Sequence, residues 1–492
     1  MSEEIDEVDG ATPARGAVQH AGLVAGGALL LAVLLLPAPA GWSAPAWHTA
    51  GITLLMGVWW ATEALPLAAT ALVPVALLPM LGAGGLEAIG GAYGNSTVFL
   101  ILGGFLVALA MERWNLHKRL AYSVVVRAGD RPRLLVLGMM VATAFVSMWA
   151  SNTSTTLMMI PVALSIAAVS APDPATATRG QRNFAAAIVL GVAWGATIGG
   201  LGTLVGTPTN ALVAGFMREN YGYTIGFTEW LAFGLPTVFL LLPLAWLVLV
   251  RFALPFELGD QRAAGAAVER SLAELGPMSR AERRVAALFV VTAVVWIARP
   301  LLTTLPGLSR LNDAGIALTA GLALFVIPSG ARGEALLSAP ALRRVPWPVL
   351  LLFGGGLALA AAIQDSGLSA LIAGSLTGLA GLPLVGLTLA IVVLLVFWTE
   401  INSNVAAAAT FAPILAALAA ATHHPPLLLV APAAMAASCG FMLPVGTPPN
   451  AIVYGTGRVT MRDMMRAGFA ADLLAVGVIT LVATLVLPYL AR

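Results

Sequence analysis

In a chain of 492 residues, 59% are hydrophobic and 10% are charged, where a soluble domain usually carries roughly 25% charged residues. With a mean hydropathy of +0.92, this composition excludes a soluble globule and identifies an integral membrane protein. The formal charge of +2 comes from basic residues scattered over loops, so no nucleic-acid partner is expected, and the lone Cys439 excludes an intrachain disulfide.

The chain begins with an acidic stretch, Glu3, Glu4, Asp6, Glu7 and Asp9, which lacks the basic start of a cleaved signal peptide; residues 1–18 read as a disordered cytoplasmic tail. From His20 onward, apolar runs recur that are each about long enough to cross a ~30 Å hydrocarbon core as a helix, and too uniformly apolar for alternating barrel strands. Spans are expected near residues 20–40, 47–63 and 65–82 and, after a loop without Lys or Arg, near 97–112. Two further segments, about 135–150 and 154–170, flank Ser151-Asn152-Thr153. That polar break favours a re-entrant hairpin with its tip inside the membrane, where non-helical backbone needs protein or water around it. The segments about 385–402 and 406–421 repeat the pattern around Ser403-Asn404-Val405.

Basic residues orient these elements. One group, Arg113, Lys118, Arg119, Arg127, Arg131 and Arg133, follows the fourth span, and a second, Arg251, Arg262, Arg270, Arg280, Arg283 and Arg284, fills a polar mid-chain stretch. The positive-inside rule puts both in the cytoplasm, which gives an internal N-terminus and an external C-terminus. The loops beside the second hairpin carry no Lys or Arg, so that hairpin is expected to enter from outside. Leu102-Gly103-Gly104-Phe105 is matched by Phe353-Gly354-Gly355-Gly356, and Gly206-Thr207-Pro208-Thr209-Asn210 by Gly446-Thr447-Pro448-Pro449-Asn450. These pairs and the two hairpin tips stand roughly 250 residues apart, the mark of an inverted repeat able to open a central site to either side in turn.

Ser147-Met148-Trp149-Ala150-Ser151-Asn152-Thr153, Thr399-Glu400-Ile401-Asn402-Ser403-Asn404-Val405, the two Gly-Thr-Pro breaks and Thr62-Glu63-Ala64-Leu65-Pro66 together resemble the divalent anion/sodium symporter family, which carries dicarboxylates, citrate or sulfate. The resemblance covers nearly all of the chain after the tail. It implies an all-α polytopic fold of about eleven transmembrane helices plus two re-entrant hairpins, working as a homodimer in the cell inner membrane by an elevator-type movement. Residues 19–134 and 285–380 would then be the scaffold helices of the two repeats, 135–250 and 381–492 the transport helices with their hairpins, and 251–284 a cytoplasmic linker.

The site chemistry follows from the breaks. A helix that stops in the membrane leaves free carbonyls, and the next one begins with free N–H groups, so one tip can serve a cation and an anion. Ser147 and Ser151 are spaced one turn apart and are expected to share a face. With Asn152 and the backbone near Gly206 they form a candidate first sodium site; Thr399, Ser403, Asn404 and the backbone near Gly446 form the second. These positions coincide with those that carry sodium in the resembled family. The substrate is expected between the tips, with Asn152, Thr153 and Thr207 on one carboxylate and Asn404 and Thr447 on the other, beside Ser403, Val405 and Pro448. No Lys or Arg lies within either tip, so a dianion would depend on helix N-termini, amide donors and the bound cations.

Val405 stands where many bacterial members, by resemblance, have Thr, which removes one hydroxyl donor and points to altered selectivity. Glu400 is open to two readings, a functional intramembrane acid or a partner for a helix end. Glu63 reads as structural at a turn, and His423 with His424 lacks a third metal ligand nearby. The repeated polar groups include no nucleophile-and-base set and no phosphate loop, so neither an enzyme nor direct ATP coupling is expected. The expected function is sodium-coupled symport of small dianions, C4-dicarboxylates such as succinate, malate or fumarate foremost, with Na+ as coupling ion and no other cofactor. An exchanger, a proton-coupled carrier, and citrate or sulfate as cargo are the alternatives.

Overall fold

The computed structural model describes residues 16–170, 176–259, 262–331, 333–376, 378 and 381–491. Among them the secondary structure is helical apart from one isolated bridge between Pro328 and Ala335. The helices are α1 (Ala17–Leu35), α2 (Ala44–Thr62), α3 (Leu67–Thr70), α4 (Val73–Met80), α5 (Leu86–Gly91), α6 (Ser96–Arg113), α7 (Leu116–Ala128), α8 (Pro132–Ser147), α9 (Asn152–Ser170), α10 (Arg179–Gly200), α11 (Pro208–Tyr221) and α12 (Phe227–Leu247). The second half holds α13 (Arg262–Glu274), α14 (Arg280–Leu302), α15 (Asp313–Val326), α16 (Pro340–Arg343), α17 (Trp347–Asp365), α18 (Leu368–Ser375), α19 (Leu384–Thr399), α20 (Asn404–Ala421), α21 (Leu427–Ala436), α22 (Pro448–Gly455) and α23 (Met461–Leu490).

Many helix starts follow from local chemistry. Ser43 accepts the N–H of Ala46 to cap α2, Asn95 accepts that of Thr97 to cap α6, and Thr178 with Gln181 and Ser279 with Glu282 form capping boxes on α10 and α14. Nine helices among the described residues are long and apolar enough to cross a membrane, and the shorter apolar ones, 10–17 residues, include α8, α19 and α21, which stop at breaks. On α14, Val290, Val291, Val294, Ile297 and Leu301 form an exposed apolar stripe of the kind a bilayer covers.

Two expectations change. Residues 1–15 lie outside the described residues, but Ala17 and Val18 are already helical, so the tail ends before residue 18. The third expected span is split into α3 and α4, because Pro74 has no N–H to offer the preceding turn; the Tyr93 hydroxyl donates to the Ala71 carbonyl at the interruption. Within residues 251–284, α13 packs on α7 and α9, and Arg119 of α7 pairs with Glu282 of α14.

Each half repeats the same packing. α6 lies against α15 and α17 against α3 and α4, while the α8–α9 hairpin packs on α10 and the α19–α20 hairpin on α21. The duplicated glycines make the first two contacts possible. A Cβ on Gly103 would stand 2.4 Å from the Ala317 backbone, and one on Gly355 would stand 2.2 Å from the Ala71 carbonyl oxygen. Gly103→Ala and Gly355→Ala should each destabilise the protein by about 1–3 kcal/mol, read as a lower melting temperature in detergent. Gly27→Ala on α1, where a Cβ meets nothing within 4 Å, should leave the melting temperature unchanged.

Candidate binding site at two hairpin tips and two helix breaks

The first hairpin turns over Met148–Ser151, between the end of α8 at Ser147 and the start of α9 at Asn152. The Ser147 hydroxyl donates to Asn152 Oδ1 at 2.7 Å. Ser147 and Ser151 do not share a helical face as their spacing predicts, since the helix ends between them. Ser151 instead belongs to the next helix: its hydroxyl accepts the N–H of Ser154 at 3.2 Å and donates to the Ser154 hydroxyl at 2.9 Å. The second hairpin repeats the first pairing. The Thr399 hydroxyl lies 2.6 Å from Asn404 Oδ1 and 2.7 Å from the Ala437 carbonyl oxygen, and Ser403 precedes α20 without capping it. A cation entering either pair needs only the hydroxyl proton to rotate away for both oxygens to present lone pairs.

Opposite each tip is a broken helix. Between α10 and α11 the chain unwinds, and Asn210 Nδ2 donates to the carbonyls of Gly200 at 3.0 Å and Thr203 at 2.8 Å. Between α21 and α22, Asn450 Nδ2 donates to those of Gly440 and Leu443, both at 3.0 Å. The two amides thus satisfy carbonyls that a membrane interior could not. Sequence reasoning assigned them no role, although Asn closes both copies of the duplicated phrase. Gly200 was also missed. A Cβ there would stand 2.5 Å from Asn152 Oδ1, and one on Gly206 would stand 2.5 Å from the Gly200 carbonyl oxygen, so Asn152, Gly200 and Gly206 are stacked in contact. Thr447 accepts the N–H of Asn450 at 3.3 Å, whereas Thr207 caps nothing.

Glu400 holds the unwound stretch of the second break. Its carboxylate accepts the N–H groups of Met442 at 2.8 Å and Leu443 at 2.7 Å, and Asp472 on α23 accepts that of Phe441 at 3.2 Å. A Cβ on Gly446 would stand 2.9 Å from Glu400 Oε2, so the carboxylate also lies against the second break. The first break is held by neutral groups: the Thr203 hydroxyl donates to the Met148 carbonyl and Trp230 Nε1 to that of Leu201 at 3.0 Å. Glu63 and His423 adopt positive φ, 48° and 57°, at the ends of α2 and α20. His424 donates its N–H to the Ala419 carbonyl as part of the same closure.

Tips and breaks converge on one cavity of about 1140 Å³. Ser151, Asn152, Thr153, Ser403, Asn404, Val405, Thr207, Gly446, Thr447 and Pro448 line it, while Ser147, Thr399 and Gly206 lie behind the lining. Helices α9, α11, α20 and α22 all begin at this cavity, each N-terminus contributing about half a positive charge. The far end is lined by Glu112, His117 and Arg344, with Glu112 paired to Arg344 at 2.5 Å. Burial pushes the His117 imidazole below its ordinary value and favours the neutral form, so Arg344 is the sole fixed positive side chain among the described lining residues. The broken helices also cross: α10 packs on α22 and α11 on α21, with the buried Thr209 and Ser438 hydroxyls hydrogen-bonded between them.

Paired hairpin tips facing paired helix breaks across one internal cavity, in an all-helical membrane bundle, define a carrier of the inverted-repeat class. The chain belongs to the sodium:sulfate symporter family, whose transmembrane-region model matches residues 17–491. It is 40% identical to the sodium-dependent dicarboxylate transporter SdcS of Staphylococcus saprophyticus over 475 residues, 96% of this chain and 92% of that one. The SdcS of Staphylococcus aureus strain USA300 is also 40% identical, over 476 residues, 96% of this chain and 91% of that one. The fold is shared with the YdaH transporter of Alcanivorax borkumensis, with a TM-score of 0.58 at 16% identity over 91% of this chain and 99% of that one.

Replacing Asn450 by Ala would leave two buried carbonyls without donors. The change should cost roughly 2–5 kcal/mol, measured by thermal unfolding in detergent, and Asn210→Ala should do the same to the first break.

Proposed function

We propose that this protein carries small dicarboxylates, C4 acids such as succinate, malate and fumarate first among them, into the cell together with sodium. The observation that supports this most directly is the duplicated oxygen pair, Ser147 with Asn152 and Thr399 with Asn404, each set behind a tip that faces one shared cavity. Sodium is a hard cation that takes oxygen ligands. In the first site it would be held by Ser147, Asn152 and backbone carbonyls around Gly200 and Gly206, with Ser151 at the edge. In the second it would be held by Thr399, Asn404, Ser403 and the backbone near Gly446. One carboxylate of the substrate meets Asn152, Thr153 and Thr207, and the other meets Asn404, Ser403 and Thr447, with Val405 and Pro448 as apolar walls. The N-termini of α9, α11, α20 and α22 favour the anion, and the two cations complete its neutralisation. The anion therefore binds well only after sodium, which is the origin of coupling.

In this reading α1–α7 and α14–α18 form a scaffold, and α8–α12 with α19–α23 form a transport unit that slides past it as an elevator in a homodimer of the cell membrane. The N-terminus is cytoplasmic and the C-terminus external. The cavity mouth at Glu112 and Arg344 then opens to the cytoplasm, so the conformation is the inward-open one. The role is transport rather than catalysis.

Replacing sodium with choline should abolish succinate uptake into proteoliposomes; undiminished uptake would point to an exchanger or a proton-coupled carrier. Asn152→Ala and Asn404→Ala should each stop coupled uptake while the protein still elutes as a folded dimer, and normal uptake in both would remove the site assignment. Cysteines in place of Ser96 and Arg218, which are hydrogen-bonded between α6 and α11, should halt uptake when crosslinked. Continued uptake across that bridge would reject the elevator movement.

A further inference from the structure

Among the positions at which the two tips differ, one carries an aromatic residue that no binding role absorbs. Trp149 lies in the first turn, between Ser147 and Asn152, and the repeat pairs it with Ile401 in the second. Ile401 is 66% exposed and lines the cavity. Trp149 instead leaves the site. Its ring stacks on Phe227 at the start of α12, with centroids 5.7 Å apart and planes at 27°, and meets Phe289 of α14 edge-on at 4.7 Å and 86°. Phe227 stacks in turn on Trp296 of α14 at 4.7 Å and 17°.

The far end of this stack is pinned. The Phe227 N–H donates to Asp313 Oδ2 at 2.9 Å, Trp296 Nε1 to the Asp313 carbonyl at 3.1 Å and the Thr228 hydroxyl to the Trp296 carbonyl at 3.2 Å. Arg299 lies 2.8 Å from Asp313 and 3.3 Å from Glu229. The near end is not pinned, because the buried Trp149 indole N–H has no hydrogen-bond partner. Ring packing alone holds the Trp149 side chain, while its backbone N–H donates to the Val146 carbonyl at 3.0 Å, so the indole can slip as the turn that carries it changes shape.

We propose that Trp149 is a positioning residue that locks the first tip to α14 when sodium occupies the first site. This rests on the elevator reading, in which the tip and α12 belong to the moving unit and α14 and α15 to the scaffold, so the bonds at the far end cross the same interface and part as the unit moves, with the Trp149 contact as the part of it that the sodium site governs. Sodium between Ser147 and Asn152 fixes both ends of the short turn and holds the indole against Phe289, so a unit loaded with sodium alone stays docked. Dicarboxylate binding at Asn152 and Thr153 reshapes the same turn and frees it. The second tip has an aliphatic residue at this position, Ile401, which lines the cavity; one tie of that tip to the scaffold is Asn402, whose amide can donate to the Ala61 carbonyl at 2.7 Å.

The test is sodium movement without cargo. In proteoliposomes, Trp149→Ala should leak sodium in the absence of dicarboxylate and raise the sodium-to-succinate ratio, while Trp149→Phe, which keeps a ring, restores tight coupling. A wild-type ratio in the Ala variant would overturn the proposal. A second measurement does not need that variant to transport. Hydrogen exchange of the α14 backbone around Phe289 should be at least about fivefold slower in sodium than in choline in the wild-type chain, and the difference should vanish with Trp149→Ala. Equal rates would sink the lock alone. Uptake that survives the bridge between positions 96 and 218 would remove the elevator and the lock together.

Discussion

Backbone groups left without partners inside a membrane are the constraint on which the rest of this structure depends. Lipid offers no hydrogen bonds, so a helix that stops there must have its loose carbonyls and N–H groups met by the protein. This chain stops helices in four places within the bundle, at two tips and two breaks. Its unusual polar residues sit there: Asn210 and Asn450 on carbonyls, Glu400 and Asp472 on N–H groups, Thr203 on a carbonyl of the first tip and Trp230 on one of the first break. What remains unpaired after those bonds is what can face a ligand. The binding site is in that sense the residue of a satisfaction problem that is otherwise solved.

The halves solve it with different chemistry. The Asn amides are placed alike in both, but the second break relies on two carboxylates where the first uses a hydroxyl and an indole. Val405 stands at the second tip where the first has Thr153, so the first tip offers one more hydroxyl donor to the cavity.

The sequence is legible where polarity and repetition coincide. Asn152, Asn404, Thr207 and Thr447 stand out because amides and hydroxyls are rare at membrane depth and return in the same order, Thr153 stands out by its place beside Asn152, and all five line the cavity. The Ser147–Ser151 pairing is misread because helical spacing applies only while the helix lasts, and composition does not mark its last residue. The partners of Glu400 are 42 and 43 residues downstream, beyond any local pattern. The split third span turns on Pro74, visible in the sequence but swamped by the apolar run around it. Trp149 is the least legible, since an aromatic residue in a hydrophobic stretch has the same local signature whether it meets lipid, core or a sliding surface.

The crossing of the broken helices has one more consequence. Because α10 rests on α22 and α11 on α21, with Thr209 and Ser438 joined at the crossing, each carbonyl-rich loop is walled partly by the other half. On the proposed reading the two cation sites are mechanically one part rather than two independent wells, and uptake is expected to rise with sodium along a sigmoid, making the carrier a threshold detector for the ion gradient.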